Sequence, residues 1–360
     1  MRAQLLTYGL RAVGAQVQVI TTSDKGARFL AGFGIEASVL SRHYAVQFDS
    51  LQNMLRRETD RNVAHYVFRP GRMLRDIVRL RAWLRTADLV VNDSFHPALL
   101  FIGAMPRWRR KIVHVYGSSL RHALETNFHE RLPDFLAKLF GRIVAWQIGR
   151  SRARIVHDFA YDEPQHDGQG SYRLATPVAV VDAGGEGERH KVEGMAAVYL
   201  NPHFTQPLLA EGMEQGLAAA GMQAHLVGEG YAQRPAWRAQ DERWVEAAAR
   251  SVCIVSAPGM AALSIAAVYR KPILLLLTDQ PEQAINARRA AQLGLIHHVV
   301  TWRGEPQAFA QDVTAGVHAL LAMASDSVAD DTTGHERAAA RLQHWMTLLM
   351  ELIQRSGAGR

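Results

Sequence analysis

Short runs of apolar, often β-branched residues alternate along almost the whole chain with longer stretches in which apolar residues recur at helical spacing. In the first half the runs fall at 16–20, 37–40, 89–92, 112–116 and 154–157; in the second half they fall at 197–200, 223–227, 252–255 and 272–276. Runs of four or five residues with little polar alternation mark strands buried on both faces, and the helical stretches between them supply the crossovers of a parallel sheet. The pattern predicts an α/β protein of the doubly wound type. At 360 residues the chain is too long for one ordinary core and fits two such domains of similar size, with a cleft between them.

The break between the halves falls in 161–194, which holds DEPQHDGQG and DAGGEGERH, the densest Gly/Asp/Glu stretches of the chain. Such composition rarely buries enough apolar surface to order as a core element. The expected domains are 1–175 and 176–360, with a short strand at 179–181 opening the second. A closing helix from about 336 to 354 carries Leu342, Trp345, Met346 and Leu349 on one stripe, fit to pack on a domain face. The chain opens on a helix, 2–13, ahead of its first strand, whereas a doubly wound domain opens strand, glycine-rich loop, helix. That first strand and loop are expected in coding sequence upstream of Met1.

Composition narrows the classes. A 48% hydrophobic and 21% charged chain is that of a packed protein, and its longest apolar runs are too short to span a bilayer. The N-terminus lacks the continuous apolar core of a signal peptide, so the chain is expected in the cytoplasm. The single cysteine, Cys253, lies in the apolar run 251–255 and reads as a buried structural thiol, against a disulfide scaffold or a zinc–thiolate site. Sixteen histidines show no metal-ligand spacing, and neither a metal nor a cofactor is expected.

Charge changes the picture more. Between Arg56 and Arg154 stand 20 Lys/Arg against 8 Asp/Glu, whereas the whole chain carries only +7. Solvated helix faces are the plain reading; an anionic acceptor or an anionic membrane surface is the functional one. No helix-turn-helix, aromatic sheet signature or zinc-finger spacing points to nucleic acid. Within this basic stretch, 128–149 carries a helical stripe of Leu132, Phe135, Leu136, Leu139, Phe140, Ile143 and Trp146. Core packing is its default reading, and a seat at the lipid headgroup boundary is the alternative, at the inner face of the membrane.

The sharpest chemical signal is in the second half. The strand 252–255 ends in the small-residue turn Ser256, Ala257, Pro258, Gly259, and a helix starts at once, leaving outward backbone N–H groups fit for an anion. Pro258 has no N–H, so Gly259, Met260 and Ala261 would supply them. Beside this turn, Asp279, Gln280, Gln283 and Asn286 put hydrogen-bonding groups suited to sugar hydroxyls on a loop and helix start; helix capping and plain surface polarity are the competing explanation. Asn201, His203 and Gly228 follow neighbouring strand ends. In the first half, Asp93, Ser94 and His96 follow the strand 89–92 at the edge where α/β sheets bind ligands, where Asp93 would orient an acceptor hydroxyl or assist a histidine unless it caps the next helix.

The stretch 244–294 resembles the donor-binding half of GT-B glycosyltransferases of the family 28 type, which includes the peptidoglycan N-acetylglucosamine transferase. The resemblance is carried by the turn at 256–259, Arg270-Lys271-Pro272, Asp279-Gln280, Glu282-Gln283, Asn286-Ala287 and Leu293-Gly294. It extends more weakly to 2–22, 87–94, 199–202 and 226–228. It implies two Rossmann-like domains facing across a cleft, and metal-independent hexosyl transfer from a nucleoside diphosphate sugar to an acceptor such as a lipid-linked or cell-envelope glycan. The donor would be bound by Asn201, His203, Gly228, Ser256, Gly259, Met260, Ala261, Asp279, Gln280, Gln283 and Asn286. Asp93 and His96 would serve catalysis, the main base lying in the absent glycine-rich loop. Ile265 stands where the family places a ribose-binding glutamate. Two rivals stay open: a sugar-nucleotide epimerase, which shares the architecture, and a degenerate GT-B protein that binds a glycan or partner without turnover, which Ile265 and the absent loop keep open.

Overall fold

The computed structural model describes residues 1–40, 70–93, 96–118, 134–181, 194–325 and 333–357. In chain order the first part holds α1 (Arg2–Ala12), β1 (Val19–Thr21), α2 (Asp24–Ala31), β2 (Ala37–Val39), α3 (Pro70–Thr86), β3 (Val90–Asn92), α4 (Pro97–Ala104), β4 (Ile112–Gly117), α5 (Asp134–Arg150), β5 (Ala153–Asp158), β6 (Gln165–His166) and β7 (Ser171–Ala175). The second part holds β8 (Met195–Tyr199), α6 (Pro207–Ala219), β9 (Gln223–Val227), β10 (Trp237–Arg238), α7 (Trp244–Arg250), β11 (Cys253–Ser256), α8 (Met260–Val268), β12 (Ile273–Leu277), α9 (Pro281–Gln292), β13 (His297–Thr301), α10 (Pro306–Ser325) and α11 (Gly334–Gly357).

The described residues divide into two compact units. One takes the chain up to Pro177 together with Arg341 onward, and the other takes Val178–Ala340. The range 176–360 expected for the second domain therefore runs too far at its end. The reason is Trp345 of α11, which is fully buried among Leu6, Val113, Ile155 and Leu174 of the first unit and donates its indole N–H to the Ala175 carbonyl at 2.8 Å. Arg341 adds bonds to the carbonyls of Phe159 and Thr176. The apolar stripe was legible, but a stripe does not say which sheet it covers.

In the first unit the sheet order is β3-β4-β5-β7-β6, parallel but for the antiparallel β6–β7 pair. β7 and β6 lie inside the segment read as a boundary loop. β7 pairs with β5 from Arg154 opposite Ser171 to Asp158 opposite Ala175, so the ladder orders a stretch whose flanks are rich in Gly and Asp. Residues 179–181 form no strand. β1 and β2 pair only with each other among the described strands.

The second unit is one six-stranded parallel sheet of order β10-β9-β8-β11-β12-β13. The pattern missed β13, whose two histidines hide its strand character. Each residue of β11 is buried, as are the first four of β12, which is why both read as unbroken apolar runs. Cys253 is buried in β11, and burial pushes its thiol up to about 12, which leaves it inert near neutral pH. Among the described residues no helix is long and apolar enough to cross a membrane.

Helices α6 and α10 pack against each other over two glycines one turn apart on α6. A Cβ on Gly216 would stand 2.6 Å from the Ala310 carbonyl oxygen and 2.7 Å from the Val313 Cβ, and one on Gly212 would stand 2.8 Å from the Pro306 oxygen. Helix propensity alone favours alanine over glycine by about 1 kcal/mol; overpacking opposes it by about 1–3 kcal/mol. Gly216→Ala is expected to lower the unfolding temperature. Gly141→Ala on α5, where a Cβ meets nothing within 4 Å, is expected to raise it. Thermal melts of the two variants check the pair, and a stabilised Gly216→Ala would contradict the close helix contact.

Candidate functional site

In the second unit the chain runs from β8 outward to β9 and β10, then returns to the other side of β8 to lay down β11, β12 and β13. The order therefore reverses between β8 and β11. Ligands of open α/β sheets bind outside the carboxyl ends of the strands at such a switch point. Here the two strand ends are tied by one side-chain bond: Ser256 Oγ donates to the Tyr199 carbonyl at 2.8 Å. Ser256 is thus a tie within the site.

Immediately after it, Gly259 caps α8 with extended backbone and no side-chain hydrogen bond, while its own N–H turns back to the Ala257 carbonyl at 2.6 Å. Gly259 brings no capping side chain to the first-turn N–H groups of Met260, Ala261 and Ala262. They form an electropositive end at the switch point. Asn286, from α9, holds this turn: its Nδ2 donates to the Pro258 carbonyl at 2.8 Å, and its Oδ1, buried, has no hydrogen-bond partner. A buried acceptor left open costs roughly 1–3 kcal/mol unless a donor arrives, so this oxygen is a ready contact for a ligand hydroxyl or N–H.

Gln283 accepts from both the backbone N–H and the hydroxyl of Thr278, at 2.8 and 3.2 Å, and Gln280 Nε2 donates to that hydroxyl at 3.1 Å. Gln283 therefore shapes the loop after β12, leaving Asp279 exposed at its tip. Asn201 and His203 follow β8 half-buried, the His203 ring resting 4.3 Å from Phe204. Gly228 is a packing position: a Cβ there would stand 3.1 Å from the Trp237 ring and 3.2 Å from Tyr231. Ile265 is buried in α8.

Sequence reasoning missed the groups that fix the β9 side. Glu214 of α6 receives Arg234 at 2.9 and 3.0 Å and the Trp237 indole N–H at 2.5 Å, clamping the segment after β9. Glu229, at the end of β9, has a carboxylate oxygen without a partner. Burial, then the Glu229 charge, raises the nearby Tyr199 phenol. Only the long separation of Glu214 from Arg234 hid the clamp, since neither residue belongs to a short motif.

In the first unit the residues expected in catalysis are engaged in structure. Asn92 Oδ1 accepts the His96 N–H at 3.1 Å, which leaves its amide nitrogen facing His114 Nδ1 at 3.1 Å, so that ring nitrogen carries no proton. His96, buried, caps α4 by accepting the Ala98 N–H on Nδ1, and its Nε2 lies 3.9 Å from Asp76. The cap expected of Asp93 belongs to His96 instead. Asp93 pairs with Arg2 at 2.6 Å; burial pushes its carboxyl up and Arg2 draws it back. Ser94 lies outside the described residues. Among the described residues no group of three or more His, Cys, Asp or Glu is placed to hold a metal ion.

No family model matches the sequence, and no curated protein does. Solved structures do. CalG4, a calicheamicin glycosyltransferase, matches over 98% of this chain and 94% of its own at 16% identity and a TM-score of 0.60. The glycosyltransferase VinC, solved with DTDP, matches over 98% and 96% at 16% identity and 0.53. UGT2 of Phytolacca americana, complexed with UDP-2fluoro-glucose and pterostilbene, matches over 98% and 96% at 11% identity and 0.53. The fold is GT-B. Its family 28 branch is not among what these likenesses establish, and at such identity they speak for the GT-B fold alone.

His114 makes the acid response of the first unit readable. Burial lowers it from 6.5 to about 4, and burial also lowers His157, held 2.8 Å from Thr176 Oγ1, well below its usual value. Below pH 6.5 the unfolded chain takes up protons that the folded chain refuses until about pH 4, so stability is full above 6.5 and falls across that window. His114 alone accounts for about 3 kcal/mol. Urea titrations at neutral and mildly acid pH should show this loss, reduced in His114→Gln; a first unit equally stable at both would contradict it.

Proposed function

We propose that this chain is a glycosyltransferase that moves a hexosyl group from a nucleoside diphosphate donor, bound by the second unit, to an acceptor. The observation that carries the reading is the uncapped N-terminus of α8 at the switch point between β8 and β11. The aligned peptide dipoles there favour a diphosphate, and favour it more as negative charge builds on the leaving group, so no metal ion is invoked. Asn286 Oδ1, Asp279 and Gln280 would receive donor hydroxyls, and Asn201, His203 and Glu229 would line the β8–β9 side. The bound DTDP of VinC and UDP-sugar of UGT2 support a nucleotide in a site of this architecture. A lipid-linked or cell-envelope glycan is the acceptor class we favour, on the strength of the basic stretch 56–154.

A second reading, glycan or partner binding without turnover, draws on one observation: Asp93 and His96 are held by Arg2 and by the α4 cap, and neither is set as a base. Release of free sugar or transfer from a nucleoside diphosphate sugar separates the two.

Gly259→Asp gives a test with opposite signs. A side chain at 259 meets only the Ala257 oxygen, at 3.9 Å, and aspartate is a better cap than glycine by a few tenths of a kcal/mol, so the melt should hold or rise. The same carboxylate would repel a diphosphate. Calorimetry with uridine, guanosine and thymidine diphosphates should show binding of at least one, weakened about tenfold or more in Gly259→Asp, about 1.4 kcal/mol, and kept in Gly259→Asn. No binding by any of the three, or binding indifferent to the aspartate, would remove the donor site.

A further inference from the structure

The ligand edge of the second unit divides its polar groups by strand. The α8 N-terminus follows β11, and the groups suited to sugar hydroxyls, Asn286 Oδ1 and the Asp279–Gln280 loop, come from the β12 side. On the other side, at the end of β9, stands Glu229, with one carboxylate oxygen buried and without a hydrogen-bond partner. A diphosphate held at α8 with its sugar toward β12 leaves the β8–β9 side for the nucleoside. The end of β9 is two strand spacings from β11, roughly 10 Å, which a nucleoside spans.

The carboxylate is held in place by backbone. Glu229 opens a single 3₁₀ turn, Glu229–Tyr231, and stands between two glycines that have no room to move. A Cβ on Gly230 would collide with the Phe204 carbonyl oxygen, and Gly228 lies against Trp237 and Tyr231. The Gly228 N–H donates to the Arg238 carbonyl at 2.9 Å, tying the end of β9 to β10, and the Glu214 clamp on Arg234 and Trp237 fixes the segment between them. The Glu229 charge reaches Tyr199 at the end of β8, so it acts on the switch-point side of β9.

An ionised carboxyl group only accepts hydrogen bonds, and so do phosphate oxygens, which also share its charge. A base is different, and its edge decides which base fits. Uracil and thymine present one N–H between two carbonyls, and a carboxylate repels both carbonyls. Adenine and cytosine present an amine beside a bare ring nitrogen, so one carboxylate oxygen would face a lone pair. Guanine presents two neighbouring N–H donors, on N1 and on its 2-amino group, which meet the two oxygens of one carboxylate. We propose that Glu229 reads the base of the donor and selects a guanosine diphosphate sugar. This inference rests on the donor site at α8 and names the nucleotide for it.

Calorimetry of the full chain with guanosine, inosine and uridine diphosphates tests this. The guanosine nucleotide should bind about tenfold or more tighter than the uridine one, with the inosine nucleotide, which lacks the 2-amino group, between them. Glu229→Gln keeps the shape but sets an amide N–H against one guanine donor. It should weaken the guanosine nucleotide about tenfold, leave the uridine nucleotide as it was, and melt with the parent chain. Equal weakening of both would assign the carboxylate to the ribose diol they share and overturn the base reading. Equal or tighter binding of the uridine nucleotide by the parent chain would overturn it without any variant. Gly259→Asp separates the two levels: if it abolishes binding that shows no guanine preference, the diphosphate site stands and this inference falls, whereas no binding by any nucleotide removes both.

Discussion

Parallel strands send all their carboxyl ends to one edge, and at the point where strand order reverses that edge opens between two neighbours. In the second unit this opening is set by β8 and β11, joined across their ends by the Ser256 hydroxyl on the Tyr199 carbonyl. The turn into α8 and the groups around it depend on that tie. Pro258 offers no N–H and gives its carbonyl to Asn286, while Gly259 spends its N–H on Ala257. The turn is closed by its own bonds, and the α8 N–H groups beyond it are aimed without a ligand to aim them. A site fixed in this way does not have to reorganise when charge develops on a bound group.

The corresponding edge of the first unit is chemically the reverse. Its polar groups answer one another: Asn92 with His114 and His96, Asp93 with Arg2, His157 with Thr176, and Ser118 with Asp158. His114 and His157 are kept neutral by burial, and neutral imidazole has no charge to offer a phosphate. At β3 the sheet also ends in an edge. Val19, Ile20, Val90 and Val91 are only half-buried, whereas the first four residues of β4 are buried. Apolar strands of a parallel sheet are ordinarily covered on both faces and both sides.

The sequence showed the alternation, most strands and the α8 turn because each is written locally, in four-residue apolar runs and a Ser-Ala-Pro-Gly turn. It failed where pairing partners supply the order. β7 takes its strand character from β5, and α11 takes its address from Ala175, 170 residues away through the Trp345 indole. Side-chain roles were still less legible. Ser256, Gln283 and Asn286 were read as ligand contacts from their positions, and all three use donors or acceptors to build the loops, while the buried Asn286 Oδ1 stays open. Position is a matter of spacing; role is a matter of which partner arrives first, and the chain's own carbonyls are nearest.

The α5 stripe shows the same limit from the other side. Apolar residues at four- and three-residue intervals describe equally a helix turned to a core and a helix turned to a lipid boundary, since both partners are dry. What separates the two is the row beside the stripe. A core-facing helix gains nothing from cations at its border, and its outer face commonly mixes both signs for solubility and pairing. On α5 the exposed border from residue 138 to 150 is Lys138, Arg142 and Arg150 with no acid in that span, and α3 has its single acid withdrawn into the interior beside His96. Placing Asp76 inside costs burial of a carboxyl group, and it removes the one charge that would repel an anionic surface. The fold thus leaves the exposed side of α3 cationic by burying the helix's one acid.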